Sequence, residues 1–292
     1  MGSFPLAQLI LNGLALGSLY AMAALGLVVI YTATDVINFA QGELAMVSAF
    51  IAFTLRAKLG LPYWAAAALT LACAFAIGAA LARLALRPLR QASPLSPVIV
   101  TVGAGLVLYG IAGWVWGYET RTFPAPIAGP PLRLGALILS RSHALILGAM
   151  LAASAALFWF FRASKAGIAL RAVAQDPLAA RLMGVSVERF NGLGWGLGAL
   201  LGAATGILIA PLTYLDPNMM GDVALKAFAA AVLGGLTSLP GAVVGGLLLG
   251  VVDSLVGYQA AELRTSVAFG IIVAVLAVRP RGLMGRAALK KV

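Results

Sequence analysis

From Ala7 to Tyr31 the chain carries no Asp, Glu, Lys or Arg, and comparably apolar runs return along its whole length. A hydrocarbon core of ~30 Å takes about 20 apolar residues of helix to cross. No water is available at that depth, so each crossing segment must satisfy its own backbone N–H and C=O groups. Repeated runs of this kind restrict the chain to one class, an all-α polytopic transmembrane bundle. Composition agrees: 62% of the residues are hydrophobic and 10% charged, against about 25% charged in a soluble domain. The 34 glycines suit helices that pack closely in lipid. The net charge of +11 is expected in cytoplasmic loops rather than on a nucleic-acid surface. Cys73 stands alone, so no disulfide framework is available. No basic region or small-residue cleavage site precedes the first run, which is therefore expected to be a retained helix and not a signal peptide.

In chain order, Ala7–Tyr31 is the first span, with Asn12, Gly13, Gly17, Ser18 and Gly26 suggesting a face packed on protein. Asp35, Asn38, Gln41 and Glu43 then fall between two apolar stretches too close together for an ordinary loop. Either the second span starts near Phe39 with polar groups inside it, or the chain is broken there. Both cases require a protein or water-filled surround. Leu44–Leu55 resumes the apolar run. Tyr63–Leu86 is the third span, with Arg83, Arg87 and Arg90 crowding its end and Pro88, Pro94 and Pro97 keeping the following loop non-helical. Val98–Tyr118 is the fourth, Glu119–His143 a Pro- and Gly-rich surface loop, Ala144–Phe161 the fifth span and Asn191–Ala210 the sixth. Val223–Gly257 is broken at Gly234-Gly235 and Pro240-Gly241 and reads as two short or tilted crossings. Leu263–Val278 is the last span, before a tail with Arg279, Arg281, Arg286, Lys290 and Lys291.

Arg162–Asn191 is a long polar interruption, carrying Arg162, Lys165, Arg171, Arg181 and Arg189 against Asp176 and Glu188. It contains a short helix with both ends specified. Asp176 is a good N-cap, Pro177 fits the first helical position, and Gly184 can take the left-handed conformation that ends a helix. So short a helix needs a surface to lie on, its own bundle or another protein.

Placing Arg162–Asn191, Arg83–Arg90 and the tail in the cytoplasm gives nine crossings with the N-terminus outside. An eight-span form with one broken segment re-entrant also satisfies the pattern. Arg56, Lys58, Arg121, Arg133 and Arg141 then fall outside, against the trend. There is also a faint internal repeat. Displacing the chain so that Asn12-Gly13-Leu14 falls on Asn191-Gly192-Leu193 also puts Ala24 on Ala203, Gly42-Glu43 on Gly221-Asp222, Ala45 on Ala224 and Ala52 on Ala231. In a chain rich in Ala, Gly and Leu several such matches arise by chance. In this topology the two copies run in opposite directions, and inverted repeats with broken helices place a substrate pathway at their interface.

Motifs of soluble enzymes are missing. No G-x-x-x-x-G-K-[ST] offers a phosphate loop, no H-E-x-x-H or G-x-S-x-G occurs, and His143 is the single histidine. No metal site is expected, and ATP, if it drives the protein, must be handled by a partner.

Four stretches resemble the LivH-type permeases of branched-chain amino acid ABC importers: N-G-L-A-L-G-S-L-Y-A-M-A-A-L-G (Asn12–Gly26), I-N-F-A-Q-G-E (Ile37–Glu43), G-I-A-L-R-A-V-A-Q-D-P-L-A-A-R-L-M-G-V (Gly167–Val185) and K-A-F-A-A-A-V-L-G-G-L-T-S-L-P-G-A-V-V-G-G (Lys226–Gly246). The resemblance implies a single permease domain over 1–292, with a cytoplasmic coupling segment at 162–190. It also implies a LivM-like permease partner, two cytoplasmic ATPase subunits holding ATP and Mg, a periplasmic substrate-binding protein, and a place in the bacterial inner membrane. No cofactor is expected on this chain. Leu178-Ala179-Ala180-x-x-x-Gly184 is similar to the E-A-A-x-x-x-G coupling segment of importer permeases, with Leu178 departing from the acidic first residue. The residues expected to couple are Arg171, Asp176, Pro177, Leu178, Ala179, Ala180, Arg181, Leu182 and Gly184. Those expected to border the pathway, near the partner permease, are Asn38, Gln41, Glu43, Gly221 and Asp222.

Plainer roles compete at each place. The Asp176–Gly184 helix also fits an amphipathic segment lying on the membrane. Asn38, Gln41 and Glu43 also fit polar glue between helices. Lys226 is expected to snorkel to an interface rather than to contact substrate, and Asp253, near a span end, to be hydrated. Two other function classes remain: an ion-coupled secondary transporter, which also uses inverted repeats, and a membrane enzyme, disfavoured because no nucleophile–base or metal constellation appears. Relatives that carry urea, short amides or carboxylates keep the solute open.

Overall fold

In the computed structural model, which describes residues 3–86, 95–127, 129–135 and 137–285, the uncharged runs are long helices. They are α1 (Ser3–Thr34), α3 (Tyr63–Leu81, continued by a π-helical turn Ala82–Leu86), α4 (Ser96–Trp116), α5 (Arg141–Ala163), α8 (Val187–Thr213), α10 (Leu239–Gln259) and α11 (Arg264–Val278, preceded by a 3₁₀ turn). These seven are long and apolar enough to cross a bilayer. Two shorter helices, α2 (Gln41–Ala57) and α9 (Gly221–Gly234), have 17 and 14 residues. The expected eight to nine spans is reached only if α2 and α9 are counted with the irregular segments that lead into them. Arg87, Pro88, Arg90 and Pro94, and the tail residues Arg286, Lys290 and Lys291, lie outside the described residues.

Close backbone contact sets the central packing. Gly13 and Gly17 of α1 lie against Gly246 and Gly250 of α10. A Cβ added at Gly17 would stand 2.7 Å from the carbonyl oxygen of Gly246, and one at Gly13 2.7 Å from Cα of Val251. Small residues four apart on both helices let the axes approach this closely, so dispersion and backbone contacts replace the hydrophobic drive that lipid removes. Gly78 of α3 meets Trp195 and Ala199 of α8 in the same manner.

The packing partners exchange between two halves, α1–α4 and α8–α11. α1 packs on α10 and α8 on α3; α2 packs on α8 and α9 on α1; α2 packs on α4 and α9 on α11; α1 and α8 pack on each other. Contacts of Gly26 with Gly198 and of Ala33 with Gly194 make α1 and α8 antiparallel. The faint repeat of the sequence is thus an inverted repeat of the fold. α5 and two short helices, α6 (Lys165–Gln175) and α7 (Pro177–Leu182), join the halves.

α6 was not anticipated from the sequence. Its signal is Ser164, whose Oγ accepts from Gly167 N at 2.9 Å ahead of an amphipathic stretch. The Glu119–His143 loop contains a small antiparallel hairpin, β1 (Leu132–Leu134) and β2 (Leu137–Leu139). Gln8 of α1 holds it by two bonds to Ile138, donating to its carbonyl at 2.7 Å and accepting from its N–H at 2.9 Å. Two arginines that go against the charge trend are tied into the protein here. Arg121 donates to the Trp116 carbonyl at 2.7 Å and lies over the Phe53 ring, and Arg141 donates to the Pro130 carbonyl at 3.0 Å.

Candidate functional site: a central cavity and an outward helix

α1 ends at Thr34 and the chain turns through Asp35, at φ 54°, into an irregular segment before α2. α8 ends at Thr213 and turns through Tyr214, at φ 68°, before α9. Gln41, the first residue of α2, donates from Nε2 to the carbonyl of Gly198 at the centre of α8, at 2.9 Å. Gly42 of α2 faces Ala224 of α9, so the two N-termini meet head to head. Beside this contact lies a cavity of about 220 Å³.

Asn38, Gln41 and Gly221 border this cavity, with Gly42, Ala45, Met220 and Ala224 around them and the tilted rings of Phe39 and Phe228, centroids 6.0 Å apart, beside it. The walls are otherwise Ala, Leu, Ile and Gly. Asn38 and Gln41 are buried, and they also hold the break together. Asn38 Nδ2 donates to Gln41 Oε1 at 3.3 Å, and Asn38 Oδ1 accepts from Ala40 N at 3.1 Å. The lining role and the gluing role therefore fall on the same two side chains.

Glu43 and Asp222 do not border the cavity. Glu43 turns toward α4, where a Cβ at Gly105 would stand 3.2 Å from its Oε2. Asp222 turns toward α11 and accepts from Thr265 Oγ1 at 3.2 Å. α4 and α11 are matching helices of the two halves, so the paired Gly-acid steps of the sequence mark repeat contacts with those helices.

Two expectations are corrected. Lys226 does not snorkel: it is 2% exposed, with Nζ 2.7 Å from Asp222 and 2.9 Å from Asp253. Asp253 is not hydrated: it is 5% exposed and accepts from the Tyr20 hydroxyl at 3.0 Å. A charge inside an apolar bundle persists only with partners, and each of these supplies the other's. The sequence held a signal for half of this, since Asp222 and Lys226 are one helical turn apart. Tyr20 and Asp253 carried none.

The Asp176–Gly184 segment folds as its ends specify. Asp176 Oδ1 accepts from Leu178 N at 2.8 Å and Ala179 N at 3.0 Å. Gly184, at φ 82°, donates to the Arg181 carbonyl, and Val185 N donates to the Ala180 carbonyl, both at 2.9 Å. That pair of bonds is the Schellman closure. Ala180 faces inward on Val173 and Val187. Ala179, Arg171 and Arg181 are exposed, and Leu178, Leu182 and Met183 stand out at 67%, 82% and 83% exposure.

PsaBC from Streptococcus pneumoniae in complex with Fab aligns with 92% of this chain and 91% of that chain, at a TM-score of 0.49 and 14% identity. The high-affinity branched-chain amino acid transport system permease protein LivH of Salmonella typhimurium is 33% identical over 98% of this chain and 97% of its own. The corresponding protein BraD of Pseudomonas aeruginosa matches at the same identity and coverage. The probable branched-chain amino acid transport permease protein LivH of Methanocaldococcus jannaschii is 32% identical over 95% of this chain and 92% of its own. The family described as branched-chain amino acid transport system / permease component matches residues 9–276. The chain is therefore a multi-pass membrane permease subunit and belongs to the branched-chain amino acid transport system permease family.

Proposed function

We propose that this chain forms one half of the translocation pathway of an ATP-driven importer in a bacterial inner membrane, paired with a LivM-like permease. Two cytoplasmic ATPase subunits supply ATP and Mg sites, and a periplasmic binding protein delivers the solute. Branched-chain amino acids are the solutes proposed, because the relatives are named for them and the cavity walls are apolar with a few fixed polar groups. In this reading Asn38, Gln41 and Gly221 border the path, while Glu43 and Asp222 set the helices that frame it.

The observation that carries the proposal is α7. The chain has no phosphate loop of its own, yet it builds a capped and closed helix whose outer face exposes Leu178, Leu182 and Met183. Such a face suits a groove on an ATPase subunit, and Arg171 and Arg181 flank it for acidic partners. ATP-driven closure reaches the cavity only through contacts that differ between the two states.

The test is reconstitution of the chain with its permease partner, ATPases and binding protein in proteoliposomes, with labelled L-leucine. ATP-dependent uptake is expected. Uptake that ignores ATP and follows an ion gradient would instead identify a secondary transporter, which the inverted repeat with broken helices also suits. Uptake of urea, short amides or carboxylates in place of leucine would move the solute and keep the machine.

A further inference from the structure

A dense polar network lies behind the cavity wall rather than in it. Lys226 of α9 bridges Asp222, one turn earlier on the same helix, and Asp253 of α10. Its ammonium lies 5.6 Å from the centre of the Tyr20 ring on α1, and the Tyr20 hydroxyl holds the second oxygen of Asp253. Thr265 of α11 closes the network on Asp222. Four helices meet on one buried cation.

The fold itself does not demand an ion there. In the matching half the position equivalent to Lys226 is Val47, buried among apolar residues, and α2 is built without a charge at that place. The ion network is thus specific to α9. That helix has two working faces: Gly221, Ala224 and Phe228 border the cavity, while Asp222 and Lys226 point away from it. Asp253, bound by Tyr20, is an anchor outside α9; Asp222 is half-exposed and travels with α9. Close backbone contacts, Ala230 on Gly245 and Gly234 on Gly241, hold the C-terminal half of α9 on α10, and the ion bridge is the charged tie on its N-terminal half.

We propose that Lys226 is a positioning residue for translocation: by bridging Asp222 to Asp253 it holds the N-terminal half of α9 on α10, and with it the contact of the α9 and α2 N-termini that borders the cavity. The proposal rests on the importer reading for its transport readout, and has a second readout that does not.

The assembled importer in proteoliposomes, with labelled L-leucine, gives turnover and KM. The isolated chain, carrying Cys73→Ser with Gly42→Cys and Ala224→Cys, gives the rate of disulfide cross-linking between the α2 and α9 N-termini. Lys226→Met is expected to lower turnover per assembled complex about tenfold with KM unchanged, and Tyr20→Phe about threefold, because each leaves buried charge less well compensated. Lys226→Arg, which keeps the charge, should recover at least about half of the lost turnover. Cross-linking should slow about fivefold in Lys226→Met, since the N-terminal half of α9 then loses its charged tie to α10. Parental turnover and parental cross-linking in Lys226→Met overturn the proposal, as does a rise in KM without a fall in turnover. If Lys226→Met fails to assemble, Tyr20→Phe decides, because losing one hydroxyl leaves the packing in place: parental turnover and cross-linking overturn the proposal. A parental chain that moves no leucine with ATP, while its cross-linking still depends on Lys226, sinks the importer reading and keeps the positioning one.

Discussion

Asp35 and Tyr214 are the two non-glycine residues with positive φ among the described residues, at 54° and 68°, and they occupy equivalent positions. The displacement that carries Asn12 onto Asn191 carries Asp35 onto Tyr214. Each half therefore ends its long helix with a positive-φ residue, ahead of the irregular segment that leads into α2 or α9. The two residues share no chemistry, so the backbone path is what the halves have in common.

A left-handed residue bearing a Cβ costs roughly 1–2 kcal/mol, and a β-branched one more. Asp35→Val and Tyr214→Val should therefore each lower the melting temperature of the purified chain in detergent, and Tyr214→Gly should hold or raise it. Equal melting temperatures for Tyr214→Val and Tyr214→Gly would show that the positive φ is not a conformational constraint.

The α1–α10 contact makes a sharper prediction. A side chain at Gly250 would run into the backbone of Gly17, whereas Gly103 and Gly110 of α4 have nothing within 4 Å of a Cβ. Gly250→Leu should abolish recovery of monodisperse protein, because overpacking costs about 1–3 kcal/mol even where neighbours can relax and backbone cannot. Gly103→Ala and Gly110→Ala should behave as the parent. Size-exclusion profiles of the three variants decide it.

At the cavity, Gln41→Ala removes the donor to Gly198 and the acceptor from Asn38. The expected cost is about 1–3 kcal/mol, since it strands buried polar groups, with reduced ATP-driven uptake. Gln41→Glu should do worse than Gln41→Ala in uptake, because a carboxylate cannot donate to a carbonyl. Uptake of Gln41→Glu at the parental level would remove Gln41 from the pathway.

What the sequence revealed follows from the range of each signal. Long uncharged runs specify helices locally, so α1, α3, α4, α5 and α8 were legible to within a few residues. The caps of α7 are equally local, and Asp176 and Gly184 were read for what they do. The break at Asp35–Ala40 was visible because Asn38 and Gln41 interrupt an apolar pattern, but where their side chains point depends on α8, far along the chain. Glu43 and Asp222 illustrate the limit. Their shared Gly-acid step marked the repeat, yet their orientation away from the cavity is set by α4 and α11. Tyr20 and Asp253 are more than two hundred residues apart, bonded at 3.0 Å, and nothing local announces the bond. Ala180 shows the same limit at short range. It is among the residues expected to couple, and its burial on Val173 and Val187 leaves the exposed face to Leu178, Ala179 and Leu182.

The last prediction concerns that face. Leu178 and Leu182 are one turn apart and largely exposed, so replacing both with Ser removes apolar contact area without disturbing the chain's own packing. The double variant should fold and insert as the parent does and fail to retain the ATPase subunits on affinity purification. Gly184→Val acts differently. Nothing lies within 4 Å of a Cβ at Gly184, so no clash arises. The penalty is the φ of 82°, which a β-branched residue resists by roughly 1–2 kcal/mol. That strain should open the Schellman closure and let α7 swing on its C-terminal side, leaving the ATPases bound but uptake slowed. Gly184→Asn, which tolerates left-handed backbone, should restore uptake. Ala180→Glu is the internal control: it buries a carboxylate on Val173 and Val187, and should lower the yield of the chain itself before any ATPase is added. Retention of the ATPases by the Leu178→Ser/Leu182→Ser variant, together with parental uptake in Gly184→Val, would show that α7 is not the element that couples the permease to ATP.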